Sequence, residues 1–246
     1  MTATLVTIGV SHYCEKARWA LDRAGAPYVE RRHPPVLHVV AAWRAGGGRT
    51  VPVLVDGARR LADSSAILAH VDEGLPPERR LYPADPAERA EVERWEDRFD
   101  EVLGPHVRRF VYGFVLDRPE TPPLLGLGAR LSERLVYRAC RPLVHGAMRR
   151  LLRIDAAGVA RSQERIDEVF AETAERIAGR RYLVGERFSA ADLSFAALAA
   201  PLLSPARYGV PLPTLEEMPP ELRAKVEAYR AHPAGAFALR LYDEER

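Results

Sequence analysis

The stretch TLVTIGVSHYCEKARWAL, residues 4–21, decides how the N-terminal part of the chain reads. Its first part, TLVTI (4–8), is β-branched and apolar, the composition of a buried strand. From Cys14 the period changes. Ala17, Ala20, Leu21 and Ala24 recur at helical spacing with Trp19 alongside, and Gly25 and Pro27 supply stop signals. Ser11 and Cys14 therefore stand three residues apart where a strand hands over to a helix. At such a junction, unpaired backbone N–H groups and the helix dipole favour an anion, a thiolate included.

Working outward, a short strand runs through Tyr28-Val29-Glu30, LHVVAAWRA (37–45) has helical character, and the glycines at 46–48 break it. VPVLV (51–55), the turn Asp56-Gly57 and RRLA (59–62) read as a hairpin. DSSAILAHVDE (63–73) then opens a helix with Asp63 or Ser64 as its N-cap. The order β-α-β-α-β-β-α predicts a small α/β sheet covered by helices, over residues 1–74. Four prolines in LPPERRLYPADPAE (75–88) mark a linker at 75–87. Beyond it strand signals stop, and 88–246 reads as an all-helical domain. Residues 88–114 form a long amphipathic pattern with a bend expected at Gly104-Pro105. Helical stretches follow around 128–153 and 156–179, with shorter ones near 219–231 and 234–242. FSAADLSFAALAAPLL (188–203) is nearly all apolar, so it should be buried at the centre of its domain, with Ser189 and Asp192 as its capping pair.

Composition narrows the function classes. The chain has 246 residues, 47% of them apolar and 28% charged, as in ordinary globular proteins. A net charge of +2 is too small to imply a nucleic-acid partner. Two cysteines, Cys14 and Cys140, exclude a disulfide scaffold and fit a reducing compartment. No window approaches the ~20 apolar residues of a spanning helix, and the N-terminus lacks a signal-peptide pattern, so a cytoplasmic location is expected. The seven histidines form no H-E-x-x-H cluster and no C-x-x-C exists, so no metal site is expected. GGGRT is followed by a strand and lacks the G-K-S/T of a phosphate loop. Only Lys16 and Lys225 are lysines among the 36 basic residues, a bias attributable to a GC-rich genome.

Three features belong together: Ser11-x-x-Cys14 at the strand-to-helix junction, Val51-Pro52 opening a strand, and Asp63-Ser64 opening a helix. With SHYCEKARWAL, TVPVL, LADSSAIL and, in the helical part, ERFSAADLSFAAL, the chain resembles a cytosolic glutathione transferase over nearly its whole length. That resemblance implies a thioredoxin-like α/β domain followed by a helical-bundle domain, glutathione as co-substrate, an electrophilic small molecule as its partner in the reaction, and a homodimer. Carried over residue by residue, it implies that Ser11 donates a hydrogen bond to the glutathione sulfur. Val51 would pair its backbone with the cysteinyl unit and Pro52 would be cis. Asp63 would take the γ-glutamyl ammonium, while Ser64 and the helix N–H groups take its carboxylate. Thr50 and Tyr13 are further candidates for glutathione binding, Tyr13 reading equally as packing at a helix start, and Arg49 is the candidate for the glycyl carboxylate. Thr50 replaces the lysine or glutamine common before the V-P pair, and RAGGGRT replaces the family's N-P-x-G run.

Plainer readings stand beside these. Ser11 is also a preferred N-cap residue. Cys14, one turn into the helix, reads first as a small buried apolar group, although a lowered pKa there would allow mixed-disulfide chemistry. Glu15 and Arg18 read as a local ion pair. The basic amphipathic stretch 129–154 reads as a solvated face, a membrane-surface contact or a site for an acidic partner. Tyr112, Phe114 and Tyr137 are candidates for the walls of the second-substrate pocket. Two other functions remain open: a Cys14-dependent thiol-disulfide reductase or deglutathionylase, and a non-enzymatic ligand-binding protein on the same scaffold.

Overall fold

A computed structural model describes residues 2–246. The chain begins with β1 (Ala3–Thr7), α1 (His12–Ala24), β2 (Tyr28–Arg32), α2 (Leu37–Arg44), β3 (Val53–Asp56), β4 (Arg59–Leu61) and α3 (Ser64–Glu73). It continues through α4 (Pro86–Arg98), a π-helical turn (Phe99–Leu103) and α5 (Gly104–Val115). Then come α6 (Thr121–Leu125), α7 (Leu131–Ala139), α8 (Arg141–Leu152), α9 (Ala156–Ile177), α10 (Ala190–Leu203), α11 (Pro220–Ala231) and α12 (Pro233–Glu245). This is the expected α/β-then-helical order. Two compact units result, one of residues 1–75 with 116–151, the other of 76–115 with 152–246.

In the first unit the sheet order is β2-β1-β3-β4, with β1 parallel to β2 and antiparallel to β3, and β3 antiparallel to β4. The second strand runs two residues beyond the expected Glu30 because Arg31 and Arg32 pair with Val6 and Thr7. Val6 and Val53 pack against Ala42 of α2, while α1 and α3 pack on each other. Gly25 ends α1 at φ 64, a left-handed conformation that costs glycine nothing. Segment 116–151 is tied to this unit at the end of β2. Arg32 bridges Ala129 in parallel, and the His33 ring hydrogen-bonds Glu133 at 2.8 Å.

In the second unit α10 is buried along nearly its whole length. It touches α4, α5, α11 and α12. Its Phe195 ring meets Phe99, Phe170 and Phe237 at centroid distances of 5.1, 5.6 and 6.0 Å. Where a bend is expected at Gly104-Pro105, a π-helical turn (Phe99–Leu103) leads directly into α5. The turn's last bond runs from Gly104 N–H to the Phe99 carbonyl, just before Pro105, which has no N–H to continue the ladder. Among the described residues no helix is long and apolar enough to cross a membrane, and no group of three or more His, Cys, Asp or Glu could hold a metal ion.

Candidate functional site

The sheet register gathers the three N-terminal motifs. Val53 pairs with Val6, so Val51-Pro52, just before β3, runs alongside the residues that follow β1. Leu61 pairs with Leu54, so the chain leaving β4 toward Asp63 emerges at that same end of the sheet. An antiparallel hairpin returns its last residues to the level of its first. Ser11, Val51-Pro52 and Asp63-Ser64 thereby meet at one end of one sheet, though up to 53 positions separate them in the chain.

The loop from Ile8 to Ser11 is fixed from both sides. The Ser11 N–H donates to the Ile8 carbonyl at 3.0 Å, and the Ser11 carbonyl accepts from Glu15 N–H at 2.9 Å. Ser11 occupies the N-cap position of α1, yet its side chain makes no capping bond. Cys14 follows in the first turn of the same helix. Cys14 is completely buried. Burial pushes its thiol up to about 11, against the opposing pull of Arg18, Ser11 and the Ile8 backbone. At neutral pH Cys14 is a thiol. Both cysteines are free, so no bridge joins Cys14 to the exposed Cys140. Tyr13 is half-buried, its ring 4.7 Å from that of His12.

The Val51-Pro52 peptide bond is cis. Pro52 is buried and Val51 half-buried, while Arg49 and Thr50 are exposed. Asp63, and not Ser64, is the N-cap of α3. Its Oδ1 accepts from Ser65 N–H at 2.9 Å and Ala66 N–H at 3.1 Å. Of the two cap candidates the structure uses Asp63, which gives two of the first N–H groups of α3 a protein acceptor. Ser64 is 3% exposed.

Two further groups escaped the sequence reading. Lys16 is fully buried and donates from Nζ to Ser65 Oγ at 2.8 Å, carrying a cation to the first turn of α3. The available signal was its rarity, one of two lysines in a chain that otherwise uses arginine. Arg18 does pair with Glu15, at 2.6 Å, but it does more. Its Nε donates to Glu30 at 2.9 Å and its remaining nitrogen to the Gly9 carbonyl. Thr7 and Arg32 also donate to Glu30, at 2.7 and 2.8 Å. Burial pushes the Glu30 carboxyl up, but Arg18 with Arg32 and Thr7 outweighs it and holds the group below its usual range. The network anchors the loop before Ser11 to β2. The period of the sequence cannot reveal it, because its partners lie on different elements.

The aromatic candidates divide. Tyr112 and Phe114 lie half-buried on α5 of the second unit, where the Phe114 ring meets Phe110 at 5.1 Å. Tyr137 is 2% exposed in the first unit, its hydroxyl 3.0 Å from His145 Nε2, a contact between α7 and α8. A cavity of about 280 Å³ in the second unit is lined by Arg94, Trp95, Arg98 and Glu172, none of them among the expected site residues.

Residues 5–79 match the family model described as glutathione S-transferase, N-terminal domain, and residues 156–232 match that for the C-terminal domain. No curated protein matches the sequence. Among solved structures, a possible glutathione S-transferase from Rhodopseudomonas palustris is 15% identical, covers 100% of this chain and 95% of its own, and superposes with a TM-score of 0.61. A β-etherase from Sphingobium sp. strain SYK-6 is 21% identical, with coverage of 98% and 99% and a TM-score of 0.61. A theta class glutathione S-transferase from Xanthomonas axonopodis pv. citri, solved with glutathione bound, is 24% identical, with coverage of 97% each way and a TM-score of 0.55.

Proposed function

The chain belongs to the glutathione S-transferase family, and from that premise we propose that it binds glutathione at the sheet end shared by Ser11, Val51-Pro52 and Asp63-Ser64 and stabilises its thiolate for attack on an electrophilic small molecule. The observation that carries this reading is that Ser11 stands at the N-cap of α1 with no capping bond from its side chain, so the helix does not engage its hydroxyl. A hydroxyl has one proton and two acceptor sites. In this site that single proton is given to the sulfur of the bound thiol. Cys14 is a buried packing group. A reductase working through Cys14 itself would need an accessible thiolate, which complete burial and a pKa of about 11 disfavour.

The remaining roles follow the chemistry of each group. The Val51 backbone pairs with the cysteinyl unit. The Ser64 hydroxyl takes the γ-glutamyl carboxylate, favoured by the Lys16 ammonium beside Ser65. Asp63 serves both as helix cap and as ammonium acceptor, for which a carboxylate has lone pairs enough. Arg49 and Thr50, exposed, face the glycyl end, and Tyr13 flanks the sulfur. In the reaction the glutathione thiolate forms a carbon–sulfur bond, and the displaced electron pair leaves with the electrophile's leaving group or stays on the electrophile. We further propose that the protein acts in the cytoplasm as a homodimer.

Calorimetric titration with glutathione tests the reading. Wild type should bind, and Asp63→Ala and Ser64→Ala should lose binding. Ser11→Ala should still bind but conjugate roughly ten- to hundred-fold more slowly, the loss of one hydrogen bond to an anionic sulfur. Cys14→Ala should remain active. Absence of binding by wild type, or activity lost with Cys14 but kept without Ser11, would overturn it.

A further inference from the structure

Helices α7 and α8 carry apolar side chains on the side they bury and again on the side they expose. Tyr137, Val144 and Met148 face inward. On the outer side of α8, Leu143, Ala147 and Leu151 recur at i, i+4 and i+8, with Leu143 77% and Leu151 80% exposed. On α7, Leu131 and Leu135, one turn apart, are 68% and 57% exposed. Single exposed leucines are unremarkable, but stripes of them on two successive helices mark an interaction surface.

The charge around these stripes names the partner. Arg130, Arg134, Arg138, Arg141, Arg149 and Arg150 are all exposed. Residues 130–150 hold one carboxylate, Glu133, which is paired with His33. Arg149 also meets Asp117. The whole chain is nearly balanced, with 36 basic and 34 acidic residues, so the positive excess is concentrated in this one segment.

We propose that α7–α8 docks on anionic phospholipid membranes, its leucines entering the acyl boundary and its arginines lying among the headgroup phosphates. Helices of 9 and 12 residues are too short to span a bilayer, but they can lie in its plane, where apolar area and attraction to anionic lipid act together. A second copy of this chain is the poorer occupant. A twofold contact through this face would set its arginines against their own equivalents, and like charges repel. A bilayer offers the leucines and the arginines what each requires.

The test is co-sedimentation of the full chain with vesicles of phosphatidylcholine alone and of phosphatidylcholine containing phosphatidylglycerol, at low and high salt. Association with the anionic vesicles only, weakened by salt, is expected. Arg134→Gln with Arg138→Gln should weaken it roughly thirty-fold. Leu143→Ser with Leu151→Ser, which removes no buried contact, should weaken it at least about ten-fold while the circular dichroism spectrum is kept. No association with anionic vesicles, or association indifferent to both double variants, overturns the proposal. So does equal retention on polyglutamate that ignores the leucine replacements, which would indicate an acidic protein partner. A dimer that the leucine replacements convert to monomer would assign the face to a second copy instead.

Discussion

Cys14 and Cys140 differ in burial, and the difference sets their chemistry. Cys14 is sealed, with its thiol pushed up to about 11, whereas Cys140 is exposed. A thiol reagent at neutral pH should therefore titrate one thiol in the folded protein and two after unfolding; rapid native labelling of both would contradict the burial of Cys14. The other decisive residue is Arg18, whose side chain is 2% exposed and is shared by Glu15, Glu30 and the Gly9 carbonyl. Removing one partner of a buried charge pair leaves the other uncompensated. Arg18→Met should cost roughly 3–5 kcal/mol in chemical denaturation. A loss below about 1 kcal/mol would mean that solvent or Arg32 compensates for the missing guanidinium. Glu15 with Arg18 was legible as an i, i+3 pair, and Ser11 with Cys14 as a spacing. Glu30 and Ser65 were not, since a partner brought in from another element leaves no local signature.

Among the elements, α10 shows how far a pattern can be read. Its apolar run announced a buried helix, and Ser189 with Asp192 announced the start. The detail of the cap is tertiary. The Asp192 carboxylate accepts from Ser189 N–H at 2.9 Å, from the Ser189 hydroxyl at 2.7 Å, and from Leu183 N–H at 2.8 Å. Burial nevertheless wins over these three bonds and pushes the carboxyl up from 3.8 to about 6. An acid whose pKa rises on folding stabilises the fold in its protonated form. That contribution is complete below 3.8 and disappears as pH rises through about 6. Relative to Asp192→Asn, wild type should lose roughly 3 kcal/mol of stability over this window, read by urea denaturation across the pH series. Parallel pH dependence in the two proteins would show that Asp192 does not titrate there.

For the whole molecule, the proposed dimer predicts a mass in light scattering of twice the 27.4 kDa chain; a monomer at all concentrations would remove that part of the reading. The sequence by itself determined the order of elements, the change from alternating strands and helices to helices alone, and the central burial of α10. Each rests on a local period or on Pro and Gly punctuation, which neighbours in the chain impose on one another. The motifs at Ser11, Val51-Pro52 and Asp63-Ser64 were legible as well, though only as three separate stretches. Tertiary structure decided that they share one end of the sheet, because strand register is set by pairing between distant residues. It also decided that segment 116–151 belongs with the α/β unit. Arg32 bridges Ala129 and His33 bonds Glu133 across a hundred residues, contacts that no periodicity encodes. Finally, it decided that Cys14 is a buried, protonated thiol, since desolvation is a property of the packed interior and not of the sequence around a residue.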